Sequence, residues 1–413
     1  MQTQLTDSVL QTGAGQEADE ILRNCVHCGF CNATCPTYQL TGDELDGPRG
    51  RIYLIKQVLE GHTPTHTTQL HLDRCLTCRA CETTCPSGVN YHRLLDTGRD
   101  LVEHTVKRTY FDRLIRAGLR TLLPWPRRIT PLLRLGQLLR PLLPAALKQS
   151  IPAYQRISIP YVSRQHARTM LLLDGCVQPA LAPRINSATR RVLDTFGITT
   201  LVPIGSGCCG ALSHHLSAGS EALGFMRRNI DAWWPAIEAG AEALVITASG
   251  CAPMVKDYGR LLAQDTAYAA RAARVSSLAK DISEIVAGEQ PGRYLQQHAG
   301  GHKVAFHSPC SLQHGQQLNN IVETILTDLG FDLLPVADSH LCCGSAGTYS
   351  ILQPALATRL RDAKLESLQA GAPDIIVTAN IGCLTHMSGH ARVPLTHWIE
   401  LLEPLIPQGT PDA

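Results

Sequence analysis

Four cysteines fall three, three and four positions apart in "NCVHCGFCNATCP" (Cys25, Cys28, Cys31 and Cys35), and the run ends on Pro36. The same spacing returns in "RCLTCRACETTCP", with Cys75, Cys78, Cys81 and Cys85 before Pro86. Three thiols separated by two residues wind around one point and hold one side of a metal–sulfur cage. The fourth lies too far round to close that cage and reaches the neighbouring one. The proline brings no N–H to compete for a place beside the cluster. Each run therefore needs the other. The expected assignment is Cys25, Cys28, Cys31 and Cys85 on one [4Fe-4S] cluster, and Cys35, Cys75, Cys78 and Cys81 on the second. Four-thiolate zinc sites compete for such residues, but they usually pair two knuckles at a distance. Two unbroken runs with the same proline exit argue for iron.

The chain carries sixteen cysteines in 413 residues. A disulfide scaffold belongs to short secreted chains that cannot build a core. This chain is long enough for two or three domains, and its 44% hydrophobic and 17% charged content is that of a globular protein. The stretch "MQTQLTDSVLQTGAGQEADE" is polar and lacks the apolar segment of a signal peptide. The expected location is thus a reducing cytoplasm that keeps thiols available for metal. No apolar run reaches the ~18 residues of a spanning helix, so membrane contact is expected only peripherally, on the cytoplasmic face of the inner membrane, or through a partner. A net charge of +2 gives no general case for nucleic acid.

Residues 15–100 are read as a ferredoxin-type domain. Between its cysteine runs, Pro48 suits a helix first turn, Ile52, Ile55, Val58 and Leu59 recur at helical spacing, and Gly61 suits the stop. Arg49 and Arg51 either pair with cluster charge or are solvated, and His27 is a neighbour of the first cluster that tunes it and does not ligate it. Residues 101–167 form a basic linker rich in Leu and Pro, in which Asp112 is the single acid from Thr105 to Arg168. Leu114, Leu119, Leu122 and Leu123 alternate with Arg113, Arg116 and Arg120 as in a basic amphipathic helix, and several prolines cut the rest of the linker into short pieces. Such a segment clasps the flanking domains, lies on an anionic bilayer, or docks on a partner.

The other eight cysteines repeat as well. Cys176, Cys208, Cys209 and Cys251 in residues 168–255 match Cys310, Cys342, Cys343 and Cys383 in residues 300–390, and Cys176 and Cys208 are separated as Cys310 and Cys342 are. Each copy reads strand, helix (186–196; 319–329), strand, double cysteine, helix (220–239; 354–370), strand. This is duplication of a parallel α/β module. Every cysteine follows a strand, and the carboxyl ends of parallel strands share one rim. The four thiols of each copy are therefore expected to converge on a further cluster or redox site. His214, His215, His307, His340 and His386 are expected near the same rim, where an imidazole titrates near neutrality. The expected fold class is a multidomain α+β and α/β chain: an α-helical dicluster ferredoxin domain followed by two repeated α/β modules.

Two dicluster runs followed by tandem "CCG" motifs resemble the iron–sulfur subunits of bacterial respiratory 2-hydroxy-acid and glycerol-3-phosphate dehydrogenases, with heterodisulfide reductases as relatives. The segments "NCVHCGFCNATCPTYQLTGDELDGPRGRIYLIK", "DRCLTCRACETTCPSGVNYHRLL", "SGCCGALSHHL" and "LCCGSAGTYSILQP" are most similar to the glycolate oxidase branch. That resemblance implies two FAD-binding partner subunits that oxidise glycolate to glyoxylate, and a quinone or other respiratory acceptor. It implies a glycolate:acceptor oxidoreductase in which this subunit carries electrons and has no catalytic residue of its own. D-lactate or glycerol-3-phosphate dehydrogenase subunits and a thiol/disulfide oxidoreductase are the alternatives. The heterodisulfide reductase pattern ends on a C-x2-C pair, whereas these modules read "CAPM" from Cys251 and "CLTH" from Cys383. The missing sulfur speaks against a disulfide-cleaving cluster. No G-x-G-x-x-G fingerprint or phosphate loop marks a flavin site.

Overall fold

A computed structural model describes residues 1–144, 151–155 and 164–407. Parts of the basic linker, 145–150 and 156–163, lie outside the described residues.

The amino-terminal part is helical. Helices Gly13–Asn24, Pro48–Leu59, His66–Asp73 and Tyr91–Thr105 enclose a core of Leu22, Ile55, Leu59, Leu72, Leu94 and Leu95. Pro48 opens its helix and Gly61, at φ +94°, turns the chain out beyond it, as the sequence suggests. Gly98 allows the helices to touch, because a Cβ there would stand 2.6 Å from Ile55 Cγ1. Thr65 and Thr68 close a reciprocal capping box on the helix that leads into the second cysteine run.

Two four-stranded parallel sheets follow. The first comprises β1 (Arg168–Leu173), β2 (Ile198–Leu201), β3 (Leu244–Ile246) and β4 (Ala279–Asp281), in spatial order β2-β1-β3-β4. The second comprises β5 (Lys303–His307), β6 (Asp332–Leu334), β7 (Ile375–Thr378) and β8 (Leu395–His397), in order β6-β5-β7-β8. The identical order is what duplication predicts. Helices Pro183–Thr195 and Gly219–Glu238 serve the first sheet, and Ile321–Asp328 and Pro354–Gln369 the second. Each sheet runs one strand past the stretches 168–255 and 300–390. β4 and β8 read AKD and LTH, without the apolar run that reveals the equally short β3, LVI.

The modules face each other across one shared core that includes Leu172, Val245, Val304, Phe306, Val377 and Trp398. Polar ties cross the same boundary: Ser249 N–H donates to Ala379 O at 3.1 Å, and the His397 ring donates to Thr247 O at 3.1 Å.

Candidate iron–sulfur centres

The two cysteine runs fold alike. Residues two and four places beyond the first cysteine of each run are left-handed: His27 and Gly29 at φ 59° and 87°, Thr77 and Arg79 at φ 54° and 63°. These reversals curl each loop so that three thiols face inward. A left-handed conformation is disfavoured for residues other than glycine, and the two loops keep it at three such positions, His27 in the first and Thr77 and Arg79 in the second.

Two sulfur-lined hollows result. One is lined by Cys25, Cys28, Cys31 and Cys85, and Cys81 lines it as well as the other. The other is lined by Cys35, Cys75, Cys78 and Cys81. The fourth cysteine of each run thus lies with the other run's first three. Burial pushes the Cys31 thiol up to about 11, helped by neighbouring Cys25 and Cys85. Burial likewise holds Cys81 well above the ordinary thiol value, with Cys78, Cys75 and Cys35 adding to it. Clustered, dehydrated thiols of this kind deprotonate when a cation takes the protons' place. Both sets therefore fit cationic iron, which would draw its ligands from these eight thiols.

Arg51 reinforces that fit at the second hollow. It is 1% exposed, donates through Nε to His71 O at 2.7 Å and through Nη2 to Thr37 Oγ1 at 3.2 Å, and brings Nη1 to 4.0 Å from Cys35 Sγ. Arg49 instead forks onto Glu44 at 2.6 and 3.1 Å. Of the two arginines, one is a buried counter-charge to thiolate and the other is a surface pair. His27 is exposed, its ring 6.4 Å from that of Tyr53.

In the paired modules, the cysteines gather at the carboxyl edge of each sheet. Cys176, Cys208, Cys209 and Cys251 form one chain of neighbouring thiols, and Cys310, Cys342, Cys343 and Cys383 form another. Cys310 Sγ lies 3.8 Å from Cys342 Sγ. The second set also abuts the ferredoxin domain: Cys78 and Cys310 pack in one cluster with Cys342, and burial, then Cys310, holds the Cys78 thiol well above its ordinary value. Around this junction Tyr349 donates to Arg74 O at 3.2 Å, and Arg79 to Gly315 O at 3.4 Å. His314, which the sequence reading missed, bridges it. Its Nε2–H donates to His340 O at 2.9 Å, so Nδ1 accepts from the Thr83 hydroxyl at 3.0 Å. Only its position four residues after Cys310 could have marked it.

The histidines expected on the rim separate. His307 lies with Cys343 and Cys383. His214 turns to the ferredoxin domain, with Nε2 3.0 Å from Asp96 Oδ2, and His215 joins the same group. His386 reaches Ala357 O at 3.2 Å, and His340 contributes its backbone carbonyl. Among the described residues no helix is long and apolar enough to cross a membrane.

Two interleaved four-thiol hollows on a helical domain, joined to a duplicated cysteine-rich α/β module, define an iron–sulfur protein of the dicluster class. The 4Fe-4S dicluster domain profile matches residues 21–89, and the cysteine-rich domain profile matches residues 170–256 and 304–388. The chain is 56% identical over 403 residues to the glycolate oxidase iron-sulfur subunit of Escherichia coli (strain K12), covering 98% of each. It is therefore a member of the glycolate oxidase iron–sulfur subunit family. The probable glycolate oxidase iron-sulfur subunit of Bacillus subtilis (strain 168) is 29% identical, with 89% of this chain and 88% of that protein covered. Lactate utilization protein A of Anoxybacillus flavithermus is 25% identical over 52% of this chain and 88% of its own length. A hypothetical protein from Helicobacter pylori shares the fold at TM-score 0.51 and 11% identity, over 98% of this chain and 77% of that one.

Proposed function

We propose that this chain is the electron-carrying subunit of a glycolate-oxidising complex. In that reading FAD-bearing partners oxidise glycolate to glyoxylate, and the electrons leave for a quinone-type acceptor at the cytoplasmic face of the membrane. The observation that carries the proposal is the exchange of Cys35 and Cys85 between the two thiol sets, which places two four-thiol sites side by side. Bound [4Fe-4S] clusters supply one-electron chemistry, the need left when a flavin yields its electrons in pairs.

The residues give this arrangement a direction. Cys28 is exposed, as are Val26, Phe30 and Tyr53 beside it, at 69%, 63% and 45%. An apolar rim of this kind around one thiol set suits a flavoprotein surface. The second set is more enclosed. It has Arg51 beneath it and Cys310 and Cys342 beyond it. Cys25, Cys28, Cys31 and Cys85 would therefore face the donor, and Cys35, Cys75, Cys78 and Cys81 would connect inward to the second module.

The test is to assemble the complex anaerobically from this chain and its flavoprotein partners and follow glycolate-dependent reduction of the iron signals by EPR. Both ferredoxin signals should appear on glycolate addition and should vanish on adding a quinone analogue. Iron signals that stay oxidised while glyoxylate accumulates at full rate would refute the reading, as would zinc in place of iron.

A further inference from the structure

The two modules carry the same four thiols in different surroundings. His307, the last residue of β5, is 2% exposed, and among the described residues neither ring nitrogen has a hydrogen-bond partner. One ring nitrogen lies with Cys343 Sγ and Cys383 Sγ, all three atoms within 4.8 Å of one another. Thr378, paired with His307 across the sheet, also leaves its buried hydroxyl unpartnered. The equivalent of His307 in the first module, three residues before the first cysteine, is Leu173, 2% exposed. A leucine at this place costs nothing. An imidazole there leaves a donor and an acceptor dry, each an unmade hydrogen bond that packing does not offset. Among the described residues nothing offsets that cost, whereas a metal bound to the ring and the two sulfurs would.

A second difference points the same way. The glycine after each double cysteine sets the register of the following helix: Gly210 faces Ala222 and Phe225, and Gly344 faces Ala357 and Leu360. In that register Asn229 of the first module corresponds to Lys364 of the second. Asn229 is spent on backbone, accepting from Gly207 N–H at 2.9 Å and donating to Cys208 O at 2.8 Å. Lys364 is 3% exposed and donates to Asp338 O at 2.6 Å; burial pulls its ammonium below the ordinary value, against Cys343, Cys342 and Cys310, which favour its charge. A buried ammonium beside thiols compensates an anionic thiolate set. The first module has no such cation at this place.

We infer that the second module, unlike the first, holds a mixed thiolate–imidazole metal centre in which His307 is a ligand beside Cys343 and Cys383, with Cys310 and Cys342 completing the donor set. A thiolate–imidazole site with metal–ligand bonds of about 2.3 and 2.0 Å holds its donor atoms roughly 3.5–3.8 Å apart, and Cys310 Sγ and Cys342 Sγ already stand 3.8 Å apart. The donor chemistry admits iron, as part of a cluster, or zinc. A nitrogen ligand on an iron–sulfur centre raises its potential, which at this position beside Cys78 would favour onward transfer.

The experiment uses the full-length chain, isolated anaerobically after growth with ¹⁵N-histidine. Iron, zinc and sulfide are counted. Pulsed EPR of the reduced protein tests for a histidine nitrogen on iron, and X-ray absorption at the zinc edge tests for one on zinc. The expected result is one centre per chain with a single histidine nitrogen. In His307→Leu, which copies the first module's own residue, that nitrogen signal is lost and the metal count falls by that centre's content. The two ferredoxin signals persist and report that the variant is folded. Absence of histidine nitrogen from every metal in the unaltered chain overturns the inference, and so does a nitrogen signal that survives in His307→Leu. Neither outcome touches the relay reading, which rests on the ferredoxin signals.

Discussion

At the residue scale, the most consequential polar group in the ferredoxin domain is Asp46. It is fully buried, lies 2.8 Å from His71 Nδ1 and 2.9 Å from Arg74 Nη1, and stands 3.7 Å from the Arg51 guanidinium. Asp46→Ala would leave the buried Arg51 without its carboxylate, a loss of about 3–5 kcal/mol when one partner of a buried pair is removed. Chemical unfolding monitored through cluster absorbance should register it, and a change below about 1 kcal/mol would mean the network is dispensable. A second pair supplies a pH dependence. Burial opposes charge on His214, but the hydrogen bond and charge of Asp96 outweigh it and raise the imidazole above its ordinary value. Asp96, despite its own burial, is held low by His214, with His215 and His92 contributing. Arg260 and Asp257 also face His214 and act in opposite senses. A raised histidine stabilises fully below its unfolded value of ~6.5, and that stabilisation is lost as pH rises through the folded value. Asp96 contributes above ~3.9 and is lost only as pH falls through its depressed value. Docking of the first module on helix Tyr91–Thr105 should therefore loosen on the alkaline side. Amide exchange in that helix, corrected for intrinsic rate, should be faster at pH 9 than at pH 6, and His214→Phe should abolish the difference.

At the element scale, helix Tyr110–Leu122 is amphipathic in the inverted sense. Its polar side faces the protein. Arg116 reaches Asp73 at 3.1 Å, flanking Arg108 does so at 2.6 Å, and Arg120 lies 3.6 Å from Glu221. Its apolar side faces out, with Tyr110 67%, Phe111 74%, Leu114 57% and Ile115 49% exposed, and neither this helix nor Pro126–Leu139 buries a residue. The ion pairs and the packing of Trp125 on Phe225 make the segment a clasp in part. A clasp alone does not account for outward leucines. A lipid boundary would seat these apolar side chains, with exposed Arg113, Arg127 and Arg128 near headgroups, and a partner's surface is the alternative. Phe111→Glu with Leu114→Glu should cut binding to anionic vesicles at least tenfold and leave dye-linked turnover in solution unchanged; retained binding would reject the membrane contact. Such a helix shows why some of this molecule was legible in its sequence and some was not. Periodicity gave the helix, and the paired arginines gave its charge, but which face meets the protein depends on where Asp73 and Glu221 arrive from elsewhere. The cysteine runs were readable because their information is local: spacing and proline together dictate which thiols converge. The helices of the modules were readable from their patterning for the same reason. The contact between Cys78 and Cys310 has no local signature, since it depends on how two domains pack. His307 and His214 each lie near a cysteine in sequence, and only the fold separates the one that faces sulfur from the one that faces Asp96.

At the scale of the whole molecule, the ferredoxin domain rests on both modules but touches them differently. Against the first it uses ion pairs, Asp96 with His214 and Glu17 with Arg260 at 3.4 Å. Against the second it uses the thiol-bearing loop itself, with Leu76, Cys78, Cys310, Cys342 and Tyr349 in one apolar cluster. Clusters held on the two sides of this packed contact would exchange electrons through protein atoms, whereas the ion pairs to the first module serve mainly to hold. On the proposed relay reading, the duplication would leave one copy as a strut and set the other in the path. On that view the order across the molecule is flavoprotein, exposed rim at Val26 and Phe30, first thiol set, second thiol set, second module. Each segment then has its own variant. Phe30→Glu places a charge in the rim without touching a thiol. It should slow reduction by the flavoprotein partner by at least tenfold, leaving reduction by a small dithionite-type reagent and all iron signals as they were. The paired change Cys310→Ser with Cys342→Ser should do the reverse, with normal reduction of both ferredoxin signals on glycolate addition but slowed reoxidation by a quinone analogue. Cys176→Ser with Cys208→Ser, the same change in the first module, should affect neither rate. Stopped-flow traces of iron-signal reduction and reoxidation separate the three. Equal slowing of reoxidation by the two serine pairs would show that both modules lie in the path, and would remove the distinction drawn from their contacts.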